Sequence, residues 1–356
     1  MQLLHPSPLF PLKTLMNRRH FLQTASLSLA GMGFAANLFA QNNPPVPYFI
    51  SNDGESARDH ITCYPDVQNG RHQLYQLWIR RNNTVLTSYR AHQTQKYPFF
   101  YPVAGPVSGL SLTTESGMPW PHHRSLFFGL DYVNGGNYWQ DSPERGQIVS
   151  QGPSFAKGAD GKYKIDAVSA EFVDRCLWGR NKENVIEDHR RFFVKILDTK
   201  RYIIDAWITM KALVDIRVEP TNHGLFGVRT AHDIAPVGGG NLVNAQGDRG
   251  QGNAHGKPSR WVAFYGKRAG LSEEIIEGIA VFCPSKAPHP RFENCPWFIR
   301  DYGFCSPNPM EWFRRDEPFL LSKDEELKLR YRVVAFAGTP KEADLDGLWN
   351  EFDQQG

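Results

Sequence analysis

The stretch Leu327-Lys-Leu-Arg-Tyr-Arg-Val-Val-Ala-Phe alternates apolar and polar residues over its first six positions and then turns wholly apolar. Alternation at period two sorts side chains onto the two faces of a strand, whereas a helix repeats its apolar positions every three or four residues. A strand with one apolar face is stable only in a sheet that buries that face. Related patterns recur along the chain. Residues 74–80 and 84–89 flank a hairpin turn, Arg81-Asn82-Asn83, and 110–114, 162–173, 191–197, 202–210, 213–219, 260–265 and 278–283 are further strand candidates before 326–336.

The 31 Gly, 25 Pro and 9 Trp among 356 residues suit strands joined by turns and are poor for a helical bundle. One helix is expected. Thr339-Pro340-Lys341-Glu342 is a capping box with Pro at the first helical position, and Ala343, Leu345, Leu348 and Trp349 follow on one side. Residues 115–160 and 233–258 read as long loops, rich in Gly, Asn, His and Pro. No internal linker or repeat divides the chain. The expected fold is all-β: one large β-sandwich over residues 58–356, with long loops and a C-terminal helix.

The first forty residues read differently. Asn17-Arg18-Arg19-His20-Phe21-Leu22 carries paired arginines, and an uncharged run of small and apolar residues follows from Thr24 to Ala36. A basic segment before a short apolar one is a signal peptide, and twin arginines point to the twin-arginine export route. Residues 1–40 are therefore expected to be cleaved, 41–57 to form a flexible leader, and the mature protein to be periplasmic or secreted. Lys13, Arg18 and Arg19 are the charged residues of the leader, so the formal net charge of +3 falls to about zero on cleavage. Neither nucleic acid nor an anionic membrane is an expected partner. No later apolar run approaches the roughly 20 residues of a spanning helix, so no stable membrane insertion is expected after cleavage.

The five cysteines include no CxxC pair and match no zinc spacing. Cys295 and Cys305 are the nearest candidates for a disulfide. There is no Walker A loop, GxSxG or HExxH, and no cofactor is expected.

Three polar segments remain as candidates for chemistry. The first runs Pro121-His122-His123-Arg124 and on through Asp131, Asn134 and Trp139. On a strand, adjacent histidines would point to opposite faces, so at most one would serve a given pocket. The second is Arg300-Asp301-Tyr302-Gly303, where a neighbouring cation would lower the Tyr302 pKa and make it an acid donor. The third runs from Phe226 to Asp233, with His232 at the end of a β-run and before a long loop, where a sandwich would place a site residue. Trp120, Trp139, Trp261 and Trp297 lie in or beside these segments, and aromatic faces with Arg, Asn, Asp and His suit carbohydrate. A metal site built from His122 or His123 with His232 and His289 is a further reading of the same residues.

Together these segments resemble the PmoA-like family of secreted bacterial proteins. Pro121-His122-His123-Arg124, Asp131-x-Val133-Asn134-Gly135 with Trp139, Arg260-Trp261-Val262, and Arg300-Asp301-Tyr302-Gly303 with Asn308-Pro309 carry the resemblance, with residues 97–103 leading in. It spans roughly residues 90–340. Ser125 stands where the family pattern usually has Gly, and Phe298 where it often has His. A methane oxygenase label attaches to the family, but a membrane oxygenase subunit needs spanning helices, which residues 41–356 lack. The resemblance implies a sandwich related to the galactose mutarotase and polysaccharide-lyase supersandwiches, with a sugar in the concave face of a sheet.

The resulting expectation is an exported carbohydrate-active enzyme, a lyase, hydrolase or epimerase. His122, His123, His232, Asp301 and Tyr302 are the candidate catalytic residues. Arg124, Asp131, Asn134, Trp139 and Arg300 are the candidate substrate-binding residues, and no metal ligand is assigned. The alternative is a non-catalytic sugar-binding or cell-envelope protein. A histidine within hydrogen-bond reach of an Asp or Tyr, where the three segments converge, would favour the enzyme.

Overall fold

Residues 183–196 show how the pattern becomes structure. Ile186, Asp188, Arg190, Phe192, Val194 and Ile196 are buried, while His189, Arg191 and Lys195 between them are exposed. The computed structural model describes residues 61–355, except 69–73, 83, 141, 287–288 and 311–315. The expected leader and signal peptide lie outside the described residues.

Strands β1 (Ile61–Gln68), β2 (Leu74–Arg81), β3 (Thr84–Arg90), β4 (Phe99–Val103) and β5 (Leu126–Leu130) come first. Then follow β6 (Gln147–Ser150), β7 (Ser154–Phe155), β8 (Ser169–Arg180), β9 (Glu183–Ile196), β10 (Arg201–Ala212) and β11 (Ile216–Val218). The chain continues through β12 (Gly224–Arg229), β13 (Asn241–Asn244), the one-turn helix α1 (Gln251–Ala254), β14 (Trp261–Lys267) and β15 (Ile276–Phe282). It ends with β16 (Trp297–Arg300), β17 (Phe304–Pro307), β18 (Phe319–Leu321), β19 (Glu326–Ala337) and the helix α2 (Leu345–Gln354).

The long strands pair antiparallel in two sheets. The first has the order β1-β2-β3-β4-β5-β12-β17-β16, and the second β13-β14-β15-β19-β10-β9-β8-β6 with β7 also on β8. Aromatic side chains interlock between them: Tyr89 of β3 lies 5.3 Å from Phe172 of β8, and Phe226 of β12 stacks on Tyr331 of β19 at 4.6 Å. The protein is an all-β sandwich closed by this core. A second, smaller core covers the outer face of the second sheet, where α2 sets Leu345, Leu348, Trp349 and Phe352 against Ile203, Phe282 and Phe336. Among the described residues no helix is long and apolar enough to cross a membrane.

Several expectations change. The Thr339 box closes, with Glu342 Oε2 accepting from the Thr339 N–H at 2.7 Å, but it holds a turn. The helix starts at Leu345, because Asp344 takes a left-handed conformation (φ 51°) and its carboxylate caps the Gly347 N–H. Residues 110–114 form isolated bridges instead of a strand, and 162–173 is strand only from Ser169. The supposed loops 115–160 and 233–258 contain β5, β6, β7, β13 and α1. Cys295 and Cys305 are free thiols. Ile299 lies opposite Cys305 in the hairpin, so Cys295 sits four residues out of register, about 13 Å along the strand and beyond disulfide reach.

Candidate functional site

The site is laid out by strand register. In the β5–β12 pair, Gly224 lies opposite Leu130 and Val228 opposite Leu126. One step past the ladder, His223 falls opposite Asp131, and the Asp131 N–H donates to the His223 carbonyl at 3.2 Å. On the other edge of β12, Arg229 lies opposite Phe304 of β17. Alternate residues share a face. His223, Gly227 and Arg229 therefore stand on the same side as Phe127, Asp131 and Phe304. That side faces away from the second sheet, because Phe128 and Phe226 on the same strands point into the sandwich. Gly227 lets the aromatic rings close over the middle of this face: a Cβ there would come within 3.0 Å of the Phe127 ring and 3.1 Å of the Phe304 ring.

The segment before β5 and the segment after it roof this face. His122 and His123 lie in the turn that precedes β5, not on a strand, so both enter the cluster with ring centroids 4.4 Å apart. His123 stacks on Phe304 at 4.0 Å and lies 6.2 Å from Tyr302. Trp139 packs edge-on to Phe127 at 4.6 Å and stacks on His223 at 5.7 Å. The His223 Nδ1 meets Asp131 Oδ2 at 2.7 Å. Arg229 lies over the Tyr302 ring, 4.5 Å from its centroid, and its Nη2 donates to the Met118 carbonyl at 2.9 Å. The rim open to solvent includes Trp120, beside His122, and part of the His223 ring.

Six buried side-chain atoms here make no hydrogen bond: both ring nitrogens of His123, Asp131 Oδ1, Trp139 Nε1, and Arg229 Nε and Nη1. Buried polar atoms are normally paired, so such a concentration needs a reason. Burial, with His122, Arg229 and His223 adding to it, pushes the His123 imidazole down to about 2, so it is neutral at ordinary pH. Burial pushes the Tyr302 phenol up to about 12, outweighing the opposing pull of Arg229 and Arg300. The expected lowering of Tyr302 thus does not occur, and the phenol stays protonated. With Asp131 Oδ2 accepting from His223 Nδ1–H, the lone pair is left on Nε2.

The sequence matches, over residues 76–350, the model of a family described as a family of unknown function, DUF6807. That is more than half of the chain. The chain belongs to the DUF6807 family. No curated protein matches it.

In this family member, His122, His123, Asp131, Trp139 and Tyr302 come together from the residues singled out in the sequence. The others do not. His232 is exposed at the start of a short 3₁₀ turn. Asp301 Oδ1 accepts from the Gln251 N–H at 2.8 Å and so fastens the start of α1. The Arg300 guanidinium lies over Phe298 at 3.9 Å and 3.2 Å from His255 Nε2. Arg124 packs over Phe99 at 5.4 Å. Asn134 bridges a turn to β11, its Nδ2 donating to the Asp215 carbonyl and its Oδ1 accepting from the Arg217 N–H. His289 accepts from the Arg291 N–H and packs on Phe319, apart from His232 in contacts. Among the described residues no three His, Cys, Asp or Glu side chains are grouped to hold a metal ion.

Two residues were missed. His223 sits in Thr-Asn-His-Gly, which reads as an ordinary turn, and only the β5–β12 register gives it Asp131. Arg229 lies inside the third segment, where His232 drew the attention instead. An arginine in an otherwise apolar run was the available clue.

Proposed function

We propose that the protein is a carbohydrate-active enzyme that moves a proton at the outward face of the first sheet. His223 acts as base through Nε2, Asp131 orients it and stabilises the imidazolium that forms, and Tyr302 is the proton donor. The 2.7 Å contact between His223 Nδ1 and Asp131 Oδ2 carries this reading, since a carboxylate behind an imidazole is the arrangement that fixes its tautomer and supports the imidazolium. Trp139 is fully buried and stacked on His223, so it steadies the base. The half-exposed Trp120 beside His122 is the platform for a sugar ring.

The carboxylates favour one reaction class over another. Most glycosidases flank the scissile bond with two acids. Here Asp131 is bonded to His223, and Asp301 is committed to α1. A histidine base with a protonated phenol fits proton abstraction, as in β-elimination or epimerisation, better than hydrolysis. The twin-arginine leader and the PmoA-like resemblance support a periplasmic or secreted site of action.

The test is a product screen of residues 41–356 against neutral and uronic oligosaccharides, following unsaturated uronide absorbance, reducing ends and anomer exchange together. Turnover that falls about 10²–10⁴-fold in His223→Ala with an unchanged circular dichroism spectrum is expected. Sugar binding without any product would leave a binding protein, and full activity in His223→Ala would remove the dyad from the chemistry.

A further inference from the structure

Four arginines are buried in the described protein: Arg190, Arg229, Arg268 and Arg332. Three are held by carboxylates. Arg190 takes both oxygens of Asp188 at 2.7 and 2.8 Å, Arg332 both oxygens of Asp205 at 2.6 and 2.8 Å, and Arg268 bonds Asp233 at 2.9 Å beside Glu277. Arg229 has no such partner. The one hydrogen bond of its guanidinium goes to the Met118 carbonyl, and Nε and Nη1 make none. Its neighbours Tyr302 and His123 are both neutral. A buried cation without an anion is costly, and a fold that pairs its other three buried arginines has no structural use for a fourth left open.

We propose that Arg229 is the receptor for a carboxylate on the substrate, so that the sugar is a uronic acid. This rests on the proton-transfer reading above and names its substrate class. One planar anion of single charge balances one guanidinium. Gly117 lies close against the group, where a Cβ would stand 3.1 Å from Nη2 and 3.3 Å from Nε, so any larger residue there would crowd the guanidinium. Arg229 sits on Tyr302, so a carboxylate bound there brings its own sugar ring to the proton donor. The same cation then meets negative charge that builds up on the carboxylate when a neighbouring carbon loses its proton.

The experiment is titration calorimetry of residues 41–356 with glucuronate and galacturonate oligosaccharides and with their neutral glucose and galactose counterparts. It is run on the native sequence, Arg229→Met and Arg229→Gln, with melting temperatures of each. Uronates are expected to bind about tenfold or more tightly than the neutral sugars, and the preference to vanish in both variants. Without ligand, Arg229→Met is expected to melt no lower than the native protein, because the lost cation had no anion. A uronate preference that survives in the variants, equal binding of both sugar classes, or a large fall in melting temperature in both variants would overturn the proposal. Turnover of neutral sugars that depends on His223 would leave the enzyme reading standing and sink only this one. Uronate binding that depends on Arg229, with no product formed, would do the reverse.

Discussion

The two faces of the β5–β12 strand pair bury polar groups in opposite ways. On the inner face, Phe128 packs under Arg190, whose guanidinium grips Asp188, and Asp188 also accepts from Trp178 Nε1 at 2.6 Å. Beside it, Asp174 accepts from Tyr89, Ser150 and Cys176. Every one of these carboxylate oxygens has a donor. On the outer face, one residue along, Phe127 packs among His123, Trp139 and Phe304, and six polar atoms around it have no partner. Both regions are largely buried and both are rich in aromatics. The inner network is complete in itself and specifies how the sheets dock. The outer cluster is complete only with something added, which is the expected condition of a site whose partner is a substrate.

The largest effect that tests this contrast lies on the inner face. Asp188→Ala strands the buried Arg190 and is expected to cost about 3–5 kcal/mol, or roughly 5–10 °C in calorimetric melting temperature. A change under about 2 °C would mean that the network is not closed in the way its geometry indicates. Acid gives the next largest effect, on the outer face. His123 titrates near 2 when folded and near 6.5 when unfolded, so the unfolded chain takes up a proton that the folded one refuses. Its contribution is flat above pH 6.5 and falls as pH drops below that value, reaching a loss of about 2 kcal/mol at pH 5. Urea unfolding at pH 7.5 and 5 should show this loss in the native protein beyond that in His123→Phe. Equal losses in the two would mean that His123 is not held neutral by burial.

How much of this contrast was readable in the sequence depends on which faces are buried. Strands β8 and β9 alternate along their length, and β10 and β19 over about half of theirs. The candidates 162–173 and 191–197 caught part of β8 and β9, and 202–210 and 326–336 most of β10 and β19. Strands β5 and β12 are buried on both faces along their whole length, so Leu-Phe-Phe-Gly-Leu and Gly-Leu-Phe-Gly-Val-Arg show no alternation to read. The Pro-His-His-Arg and Arg-Asp-Tyr-Gly motifs did mark the neighbourhood. But the second is a hairpin turn, and a turn sends consecutive side chains apart: Tyr302 goes to the cluster, Asp301 to α1. The pairing of His223 with Asp131, 92 residues apart in sequence, exists only as strand register. Whether an arginine has a counter-ion is likewise a property of the folded chain alone.

The smaller effects sharpen the contrast by comparing histidines. At pH 7.5, His123→Phe keeps the stacking on Phe304 and removes two buried nitrogens that nothing satisfies. Stability should rise by about 1–2 kcal/mol in urea unfolding, while any activity assigned to the cluster should fall. A loss of stability would show that the ring is hydrogen-bonded in solution and that the cluster is more complete than it looks. His232→Ala sets the floor. Its ring is on the surface, and the 3₁₀ turn that it opens is closed by its backbone carbonyl, which accepts from the Ala235 N–H and survives the substitution. Stability should therefore stay within about 0.5 kcal/mol and turnover should be unchanged. A marked loss of turnover with an intact fold would extend the working surface past β12 to the 3₁₀ turn, and the outer cluster would then be only part of the site.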